Sequence, residues 1–203
     1  DFIELGDHWK LLAGLRYDMT KAQYFYCQTP GCLQSNDPAV NGASPAGKEN
    51  AFSPRLGLVW QPTERTTVFA SWSKSFAPQP YADRQGNLLP PERGTQYEIG
   101  VRQHLLSEGR LVLSLAAFDL TRQNVTETDP VDDNFSVAIG EQRAKGFEAE
   151  LTGKLLPWID LVATYAYVDA KVTNSNVAVT GIPIGTQLSE APRHSASLFT
   201  KIA

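Results

Sequence analysis

The three histidines of the chain, His8, His104 and His194, are the side chains best suited to acid–base catalysis, and they are far apart in the sequence. Only His194 has a nucleophile beside it, since Ser195 follows directly. Neighbouring residues of a β-strand point to opposite faces, so these two side chains cannot form a nucleophile–base pair with each other. The sequence also lacks a glycine-rich phosphate-binding loop. We therefore assign no catalytic residues and predict that the protein is not an enzyme.

Two cysteines, Cys27 and Cys32, are the next candidates for chemistry. The segment between them contains Pro30 and Gly31, a turn signal that would bring the two thiols together. In an oxidising compartment we expect a small disulfide loop, whereas in the cytosol the same residues would be free thiols. No second Cys or His pair lies at ligand spacing, so we predict no metal site.

Three acidic residues, Asp129, Asp132 and Asp133, cluster in one polar segment. The oxygen spacing and the turn glycine of a calcium-binding loop are absent, which favours a solvated acidic loop. The 203-residue chain has a formal net charge of −4 and no basic block, so nothing favours nucleic acid as a partner. No apolar run reaches the roughly 18 residues that a transmembrane helix needs.

The dominant pattern is an alternation of apolar and polar residues with a period of two, which predicts β-strands. Eight segments show it: 9–20, 52–61, 67–73, 96–102, 111–120, 146–152, 161–167 and 193–203. In the fifth segment the apolar residues change face at Phe118 and Leu120. We predict a β-bulge near Ala116 that restores the phase.

The connections between these segments alternate between short and long. Tight turns are predicted at 61–65, 105–109 and 156–160, and long polar segments at 26–50, 77–94, 126–140 and 174–191. In an up-and-down sheet this order places every tight turn at one edge and every long loop at the other. Compact soluble domains rarely contain a structureless loop above about 12–15 residues. Outer-membrane barrels, in contrast, combine short periplasmic turns with long extracellular loops.

The aromatic residues favour a sheet with one face in lipid. Trp9, Trp60 and Trp158 lie at the tight-turn ends, while Tyr17 and Trp72 lie further along their strands. The distance from Trp9 to Tyr17 is roughly 26 Å along a strand. A tilt of about 40° reduces this to about 20 Å of height, close to the apolar band between two aromatic girdles. The other face carries Arg, Glu, Lys and Gly, which suits a wet lumen. An aromatic-rich soluble β-sandwich is the alternative.

Several blocks of the sequence match a known pattern in content and in order. They are FSPRLGLVW at 52–60, TVFASWSKSFAP at 67–78, LPPERGTQYEIGVR at 89–102, AFDLTRQNV at 117–125, GEQRAKGFEAE at 140–150 and PRHSASL at 192–198. Together they span nearly the whole chain. This pattern resembles the barrel of TonB-dependent ferric-siderophore receptors, and within that family most of all the ferrichrome and other hydroxamate receptors.

The resemblance implies an all-β fold, an antiparallel up-and-down transmembrane β-barrel. Residues 1–203 would supply about eight strands of a larger plugged barrel of about 22 strands. They would be part of a single barrel domain, with the plug, the early strands and the closing strands outside them. The last segment stops within its alternation and the first has no obvious partner, so we expect both ends to lie within the larger barrel.

The same resemblance implies a function in the bacterial outer membrane. The parent protein would bind a ferric siderophore from outside the cell and release it inward when a plug rearranges. Its partners would be the siderophore, the lipid bilayer and, through the plug, the TonB–ExbB–ExbD complex. Iron would arrive already chelated, so the protein needs no cofactor of its own and the siderophore is a transported ligand.

The resemblance also implies where the ligand binds. Ferrichrome-type receptors have tyrosines just before a disulfide-bearing extracellular loop, and Tyr24, Tyr26 and Cys27 match that order. Phe76 and Tyr81, where the third strand enters its loop, are further predicted contacts. Aromatic rings give contact area at little entropic cost, and tyrosine adds a polar group. Alternatively, the tyrosines belong to the lipid-facing girdle or pack the base of the loop.

Arg143 and Lys145 are two cations high on the sixth strand. We consider that they face the lumen and attract an anionic chelate, although lumen ion pairs are the commoner role. The phase of the alternation puts them opposite to Glu148 and Glu150 unless a bulge intervenes.

Two other classes of protein are considered. A stand-alone β-barrel binding or adhesion module of the outer membrane would close its first strand on its last. A hydrolase built on a barrel would need a Ser or Asp and His constellation, which we do not find.

Overall fold

The structure, a computed structural model, describes residues 2–23, 25–27, 41–43, 47–106, 110–189 and 191–202, and at 25–27 and 41–43 it describes the backbone alone. The elements in chain order are β1 (Phe2–Leu5), β2 (Trp9–Ala22), β3 (Phe25–Cys27), β4 (Asn41–Ala43), β5 (Gly47–Thr63), β6 (Thr66–Ala77), β7 (Glu92–His104), β8 (Leu111–Gln123), β9 (Thr126–Thr128), β10 (Ser136–Ala138), β11 (Gly140–Leu156), β12 (Ile159–Ser175), α1 (Val177–Thr180) and β13 (His194–Ile202). Within this part of the chain, no helix has the length and hydropathy to cross a bilayer.

Nine strands form one antiparallel sheet in the order β1-β2-β5-β6-β7-β8-β11-β12-β13. Each strand pairs with the next sheet strand along the chain, so the sheet is an up-and-down meander. Two short hairpins, β3–β4 and β9–β10, lie outside it. This architecture confirms the predicted all-β antiparallel fold. The edge strands β1 and β13, as described, do not pair with each other, whereas a self-contained barrel would close there.

All eight predicted segments coincide with strands of the sheet, the last of them with β13 over residues 194–202, and β1 is a ninth strand that the pattern does not predict. It pairs with the start of β2, from Phe2↔Leu12 to Leu5↔Trp9. Its four residues are too few to establish a period of two. β11 and β12, of 17 residues each, extend well beyond their predicted segments. The halves of these two strands nearer the long loops contain charged cross-strand pairs such as Lys145↔Asp169. Their sequence therefore lacks the alternation of apolar and polar residues on which the prediction depends.

The connections follow the predicted order. Tight turns join β5 to β6 at residues 64–65 and β11 to β12 at residues 157–158. Part of the third predicted turn, 107–109, lies outside the described residues. The long connections between β6 and β7, between β8 and β11, and between β12 and β13 all leave the sheet at the opposite edge.

The predicted β-bulge near Ala116 is wrong. β8 pairs with β7 and with β11 without any shift of register. Phe118 therefore lies on the polar side of the sheet, where its cross-strand partner is Gly146. Because this glycine has no side chain, it leaves space for the ring: a Cβ built on Gly146 would lie 2.8 Å from Phe118 Cζ.

The two faces of the sheet differ in polarity. We call the face that carries Leu15 and Ile99 the apolar face. The face that carries Arg16, Arg102 and Glu148 is the polar face. Leu15 is 69% exposed and Ile99 is 58% exposed. Hydrophobic cross-strand pairs fill the middle of the apolar face: Leu11↔Leu58, Ala13↔Leu56, Ala70↔Ile99, Val101↔Leu115 and Leu151↔Ala163.

Aromatic residues bound the apolar face at both ends. Near the tight turns Trp9 and Trp60 stack, with 5.6 Å between their ring centroids. Toward the long loops the rings of Tyr17 and Phe52 lie 4.6 Å apart. This second row continues across the sheet with Trp72, Tyr97, Phe147, Tyr165 and Tyr167. The spacing of the two rows agrees with the girdles predicted from the sequence.

Beyond the second aromatic row, the same side of the sheet is charged. Arg143 and Lys145 point there, and the hypothesis that they face the lumen is wrong. The Asp119 carboxylate lies 2.8 Å from Arg143 Nε and 3.7 Å from Lys145 Nζ. The predicted phase is confirmed, since Glu148 lies on the polar face and no bulge separates it from these cations.

Most of the buried apolar residues lie at the long-loop end of the sheet. Here the long connections fold against the ends of the strands, and this packing positions the cavity described next. The buried residues at this end are Ala51, Phe76, Ala82, Val125, Val137, Ile139, Ala170 and Val172.

Candidate ligand site at the long-loop end of the sheet

A cavity of about 240 Å³ lies between the ends of β2 and β5 and the connection from β6 to β7. The two strands contribute Thr20, Ala22, Gly47 and Glu49, of which Thr20↔Glu49 and Ala22↔Gly47 are cross-strand pairs. The connection contributes Pro78, Gln79, Leu88, Leu89, Pro90 and Pro91. We call this cavity the upper pocket.

Contacts between distant residues hold the connection against the strands, and a turn shapes its tip. Leu88 packs onto Gly47, where a Cβ would lie 2.8 Å from Leu88 Cδ1, so a larger residue at 47 would require the Leu88 side chain to move. The tip is a turn in which Asp83 Oδ1 accepts hydrogen bonds from the backbone N–H of Gln85 and Asn87. Such an Asx-type turn is a frequent use of aspartate.

Gln79 holds the base of the connection. Its side chain is buried, and its Nε2 donates to the carbonyl oxygens of Pro90 and Asn124. Asn124 in turn donates from Nδ2 to Pro91 O at 2.9 Å. It has a positive φ of 58°, which asparagine tolerates better than most residues. These bonds fix the connection to the end of β8.

A second link joins the same connection to the β9–β10 hairpin. Arg84 Nε lies 2.8 Å from Asp129 Oδ2, and Ser136 N donates to Ala82 O at 3.0 Å. Asp129 Oδ1 also accepts the backbone N–H of Val131 at 2.8 Å. The pKa of Asp129 is lowered, mainly by this backbone hydrogen bond and to a smaller extent by Arg84. Asp129 is 4% exposed and is held by these bonds, so the predicted solvated acidic loop is wrong for this residue.

The polar atoms of the upper pocket are mostly acceptors. The half-buried Glu49 carboxylate has no hydrogen bond or ion pair with any described residue, and Thr20 donates its hydroxyl to Glu49 O. The pocket can therefore receive N–H or O–H donors of a ligand.

The predicted contacts of the first long loop fall at the edge of the described chain. Tyr24 and Cys32 lie outside the described residues, and Tyr26 and Cys27 are described only as backbone of β3. Ala22, which lines the upper pocket, precedes Tyr24 by two residues. The disulfide and the two tyrosine contacts stay predictions.

The other two predicted contacts differ in exposure. Tyr81 is 48% exposed in the connection that covers the upper pocket, with its carbonyl accepting from Leu89 N. Phe76 is 8% exposed and shares a side of β6 with Trp72, so little of its ring is open to a ligand. Ligand contact by either residue stays a prediction.

Sequence reasoning missed Gln79, Glu49 and Leu88. The prolines around Gln79 and the pair Pro90 and Pro91 are a local signal of a rigid connection. Nothing in the sequence places that connection over Glu49, because the contact joins residues far apart in the chain.

Two further cavities are lined by strand residues of the sheet. One, of about 360 Å³, is lined by residues that include Phe69, Arg102, Glu148 and Glu150. A cleft of about 890 Å³ opens where β5 and β6 separate beyond the pair Arg55↔Ser73. The next residue of β5 is Pro54, which has no N–H for a further ladder hydrogen bond.

Within the part of the chain that the structure describes, no three His, Cys, Asp or Glu side chains form a group that could hold a metal ion. His194 and Ser195 lie on opposite faces, as predicted: the first pairs with Tyr167 and the second with Ala166. His194 Nδ1 lies 2.9 Å from Tyr165 Oη, so its partner is an aromatic hydroxyl of the apolar face.

The sheet, its two faces and its loop order are those of a membrane receptor barrel, and the family comparison agrees. Residues 1–201 match the family described as TonB dependent receptor-like, beta-barrel. The chain belongs to this family, whose members are in general outer-membrane proteins.

The relatives are receptors and transporters, which agrees with the prediction that this protein is not an enzyme. The metal-pseudopaline receptor of Pseudomonas aeruginosa is 36% identical over 98% of this chain and 27% of its own length. The ferrichrome outer membrane transporter/phage receptor of Escherichia coli is 31% identical over 79% of this chain and 21% of its own. The ferripyoverdine receptor structure from P. aeruginosa superposes with a TM-score of 0.70 and 26% identity, over 98% of this chain and 24% of its own. The chain thus spans about a quarter of the length of these three relatives.

Proposed function

We propose that the chain is part of the barrel of a bacterial outer-membrane receptor that takes up ferric siderophores. The observation that carries this proposal is the exposed apolar face bounded by two aromatic rows, in a chain of this family. Such a face suits a bilayer, with aromatic girdles at both interfaces. Residues 1–203 would be one part of a single barrel domain.

We propose three partners for the parent protein. The apolar face contacts the lipid bilayer, and a ferric siderophore binds at the long-loop end. The TonB–ExbB–ExbD complex acts through a plug outside this chain. The charges of the polar face, among them Arg102, Glu148 and Glu150 around one cavity, suit a lumen filled by water and such a plug. No cofactor of the protein itself is required, because the iron is carried by its chelator.

We place the siderophore at the rim of the upper pocket. Tyr24 and Tyr26 follow directly from one wall, and Tyr81 lies exposed in the connection that forms the other. Aromatic rings would cover the apolar rim of a chelate, while Glu49 and Thr20 accept its N–H or O–H groups. Phe76, the fourth predicted contact, is 8% exposed and would offer the ligand only a small part of its ring.

A metal chelate of a different chelator class is the second candidate ligand. It is favoured by the metal-pseudopaline receptor, whose 36% identity over 98% of this chain exceeds the 31% over 79% of the ferrichrome transporter.

The test is binding of a panel of chelates to the full-length parent protein, followed by quenching of tryptophan fluorescence. The panel contains ferric hydroxamates and the metal–pseudopaline complex. Tyr24→Ala and Tyr26→Ala are compared with Tyr97→Ala, a tyrosine of the apolar face that is 57% exposed. We expect one chelate to bind, and the first two substitutions to weaken it about tenfold or more while the third leaves it unchanged.

The outcomes separate the class of protein from its substrate. Binding of the pseudopaline complex alone would replace the ferric hydroxamate by the second candidate. A folded parent that binds no chelate of the panel would contradict the proposed siderophore function and leave the family membership unchanged. Equal loss with Tyr97→Ala would show that the tyrosine effect is not local to the loop.

A further inference from the structure

Three residues with acceptor groups line the upper pocket. Glu49 supplies a half-buried carboxylate, Thr20 a hydroxyl and Gln79 the amide oxygen Oε1. Gln79 is 9% exposed, and its Oε1 accepts no hydrogen bond from any residue that the structure describes. A buried acceptor or charge without a partner is costly. These groups therefore call for a donor that carries positive charge.

The two strands that form one wall of the pocket supply no cation to Glu49. Lys21 and Lys48 lie next to the pair Thr20↔Glu49. Successive side chains of a strand alternate, so both lysines point to the opposite side of the sheet. Arg16 is on the same side as the Glu49 carboxylate, but it is bound to Asp18 at 2.8 Å.

The connection that forms the other wall, residues 78–91, supplies none either. Its one basic residue is Arg84, whose Nε lies 2.8 Å from the Asp129 carboxylate. The residues outside the described ranges include no lysine, arginine or histidine. The cation that the Glu49 carboxylate lacks therefore comes from outside this chain.

The size and the walls of the pocket limit what can carry that cation. The volume of about 240 Å³ is below the roughly 300–1,000 Å³ of a site for a whole drug-sized ligand, so the pocket suits one arm of a larger molecule. Its apolar walls include Ala22, Leu88 and Leu89. Methylene groups of such an arm can lie along these walls while a charged end reaches the acceptors.

We propose that the upper pocket binds a primary alkylammonium group on one arm of the transported chelate, an inference that rests on the proposed siderophore function. An ammonium group has three N–H donors and no acceptor, which matches a pocket that offers a carboxylate, a hydroxyl and an amide oxygen. A hydrogen bond between opposite charges is stronger than a neutral one, so Glu49 contributes most of the selectivity. The ferric centre of the chelate lies outside the pocket, at its rim.

The first experiment tests the pocket without iron. The full-length parent in a neutral detergent is titrated with 5-aminopentan-1-ol and, separately, with pentane-1,5-diol, which has the same length but no charge. Saturation-transfer NMR of the small molecule measures binding. We expect the amino alcohol to bind at about 10 mM or below, and Glu49→Gln to weaken it about tenfold. The diol should bind at least about tenfold more weakly to the wild type.

Glu127→Gln is the matched control, because Glu127 is an exposed carboxylate of β9 in another long connection. We expect less than about a twofold change in this variant. An equal loss in the control, full binding by Glu49→Gln, or equal affinity for the diol would overturn the proposal. So would a wild type that binds no amino alcohol, because another part of the parent would then pair with Glu49. Displacement by calcium at equal concentration would overturn it as well, since the pocket would then be a metal site.

The second experiment measures chelate binding on the same preparations. It compares a ferric trihydroxamate that carries a pentylammonium arm with the same chelate acetylated at that amine. We expect the charged form to bind about tenfold more tightly, and Glu49→Gln to abolish the difference. Equal binding of both forms to the wild type would overturn the ammonium inference alone. A parent that binds the amino alcohol through Glu49 but binds no chelate would overturn the siderophore function alone.

Discussion

Two phenylalanines of the polar face lie directly over glycines of the neighbouring strand. Phe69 is the cross-strand partner of Gly100, and Phe118 is the partner of Gly146. At both glycines the nearest side-chain atoms to a built Cβ belong to the facing ring. Aromatic rings can therefore lie flat on a face that otherwise carries charges. This local fit, and not a change of register, explains the irregular phase of β8.

Gly146→Ala tests this fit. A Cβ at 146 would lie 2.8 Å from Phe118 Cζ and would also meet the carbonyl oxygen of Tyr167, so backbone and ring must both move. We expect a loss of roughly 1–3 kcal/mol of stability, the usual cost of overpacking. The measurement is the urea midpoint of the full-length parent in detergent.

Gly57→Ala is the matched control on the same face. The nearest atom to a Cβ at 57 is Leu12 Cβ at 3.5 Å, an ordinary contact. We expect little change in the urea midpoint for this variant. If both variants were equally stable, the ring over Gly146 would not fix the phase of β8.

At the scale of elements, the connection over the upper pocket and the β9–β10 hairpin are joined through Arg84 and Asp129. The pKa of Asp129 is lowered by its backbone hydrogen bonds and by Arg84. A carboxylate with a lowered pKa stabilises the folded state above its ordinary pKa of about 3.9, and this contribution is lost as the pH falls through the lower, folded value. The link should therefore be intact from neutral pH down to about pH 5.

Hydrogen exchange of residues 126–138 in the full-length parent checks this expectation, with rates corrected for the intrinsic rate at each pH. We expect protection at Val131 to be constant between about pH 5 and pH 7 and to fall below about pH 4. Asp129→Asn removes the titrating group, so its protection should be lower and should not vary with pH in this range. An unchanged profile in the asparagine variant would show that the carboxylate does not hold the hairpin.

How much the sequence predicts differs between these elements. The strands can be predicted because successive side chains of a strand point to opposite faces. Where one face is apolar and the other polar, the two residue types therefore alternate along the sequence. β1 escapes this signal since four residues carry too little pattern. The upper pocket escapes it entirely: Leu88 on Gly47 and Gln79 on Asn124 are contacts between distant segments, and no local preference specifies them. The orientation of Arg143 follows from phase, but its partner Asp119 lies on another strand.

At the scale of the whole molecule, the sheet presents a broad apolar face with strongly exposed residues. Phe52, for example, is 64% exposed and Met19 75% exposed. A soluble monomer seldom exposes a patch of this kind. Substitution of two adjacent residues, one at a time, tests what covers each face of the sheet. Neighbours on one strand point to opposite sides, so each substitution reports on one face only.

Ala163 and Thr164 form such a pair. Ala163 lies on the apolar face between Leu151 and Leu198, while Thr164 lies on the polar face opposite Glu150. A lysine at a lipid-facing site near the bilayer midplane costs about 2–4 kcal/mol, whereas lumen substitutions cost little. We expect Ala163→Lys to reduce folding of the full-length parent into phospholipid vesicles, measured by the electrophoretic mobility of unheated samples. Thr164→Lys should fold normally, since its ammonium group meets a carboxylate.

The reverse result would be as informative. If Thr164→Lys were the damaging change, the face with Glu150 would be the one packed in an apolar surrounding, and the assignment of lipid and lumen sides would be inverted. Equal damage by both would indicate that each face of the sheet is covered by protein. Only damage confined to Ala163→Lys agrees with a barrel wall that has lipid on one side and a wet lumen on the other.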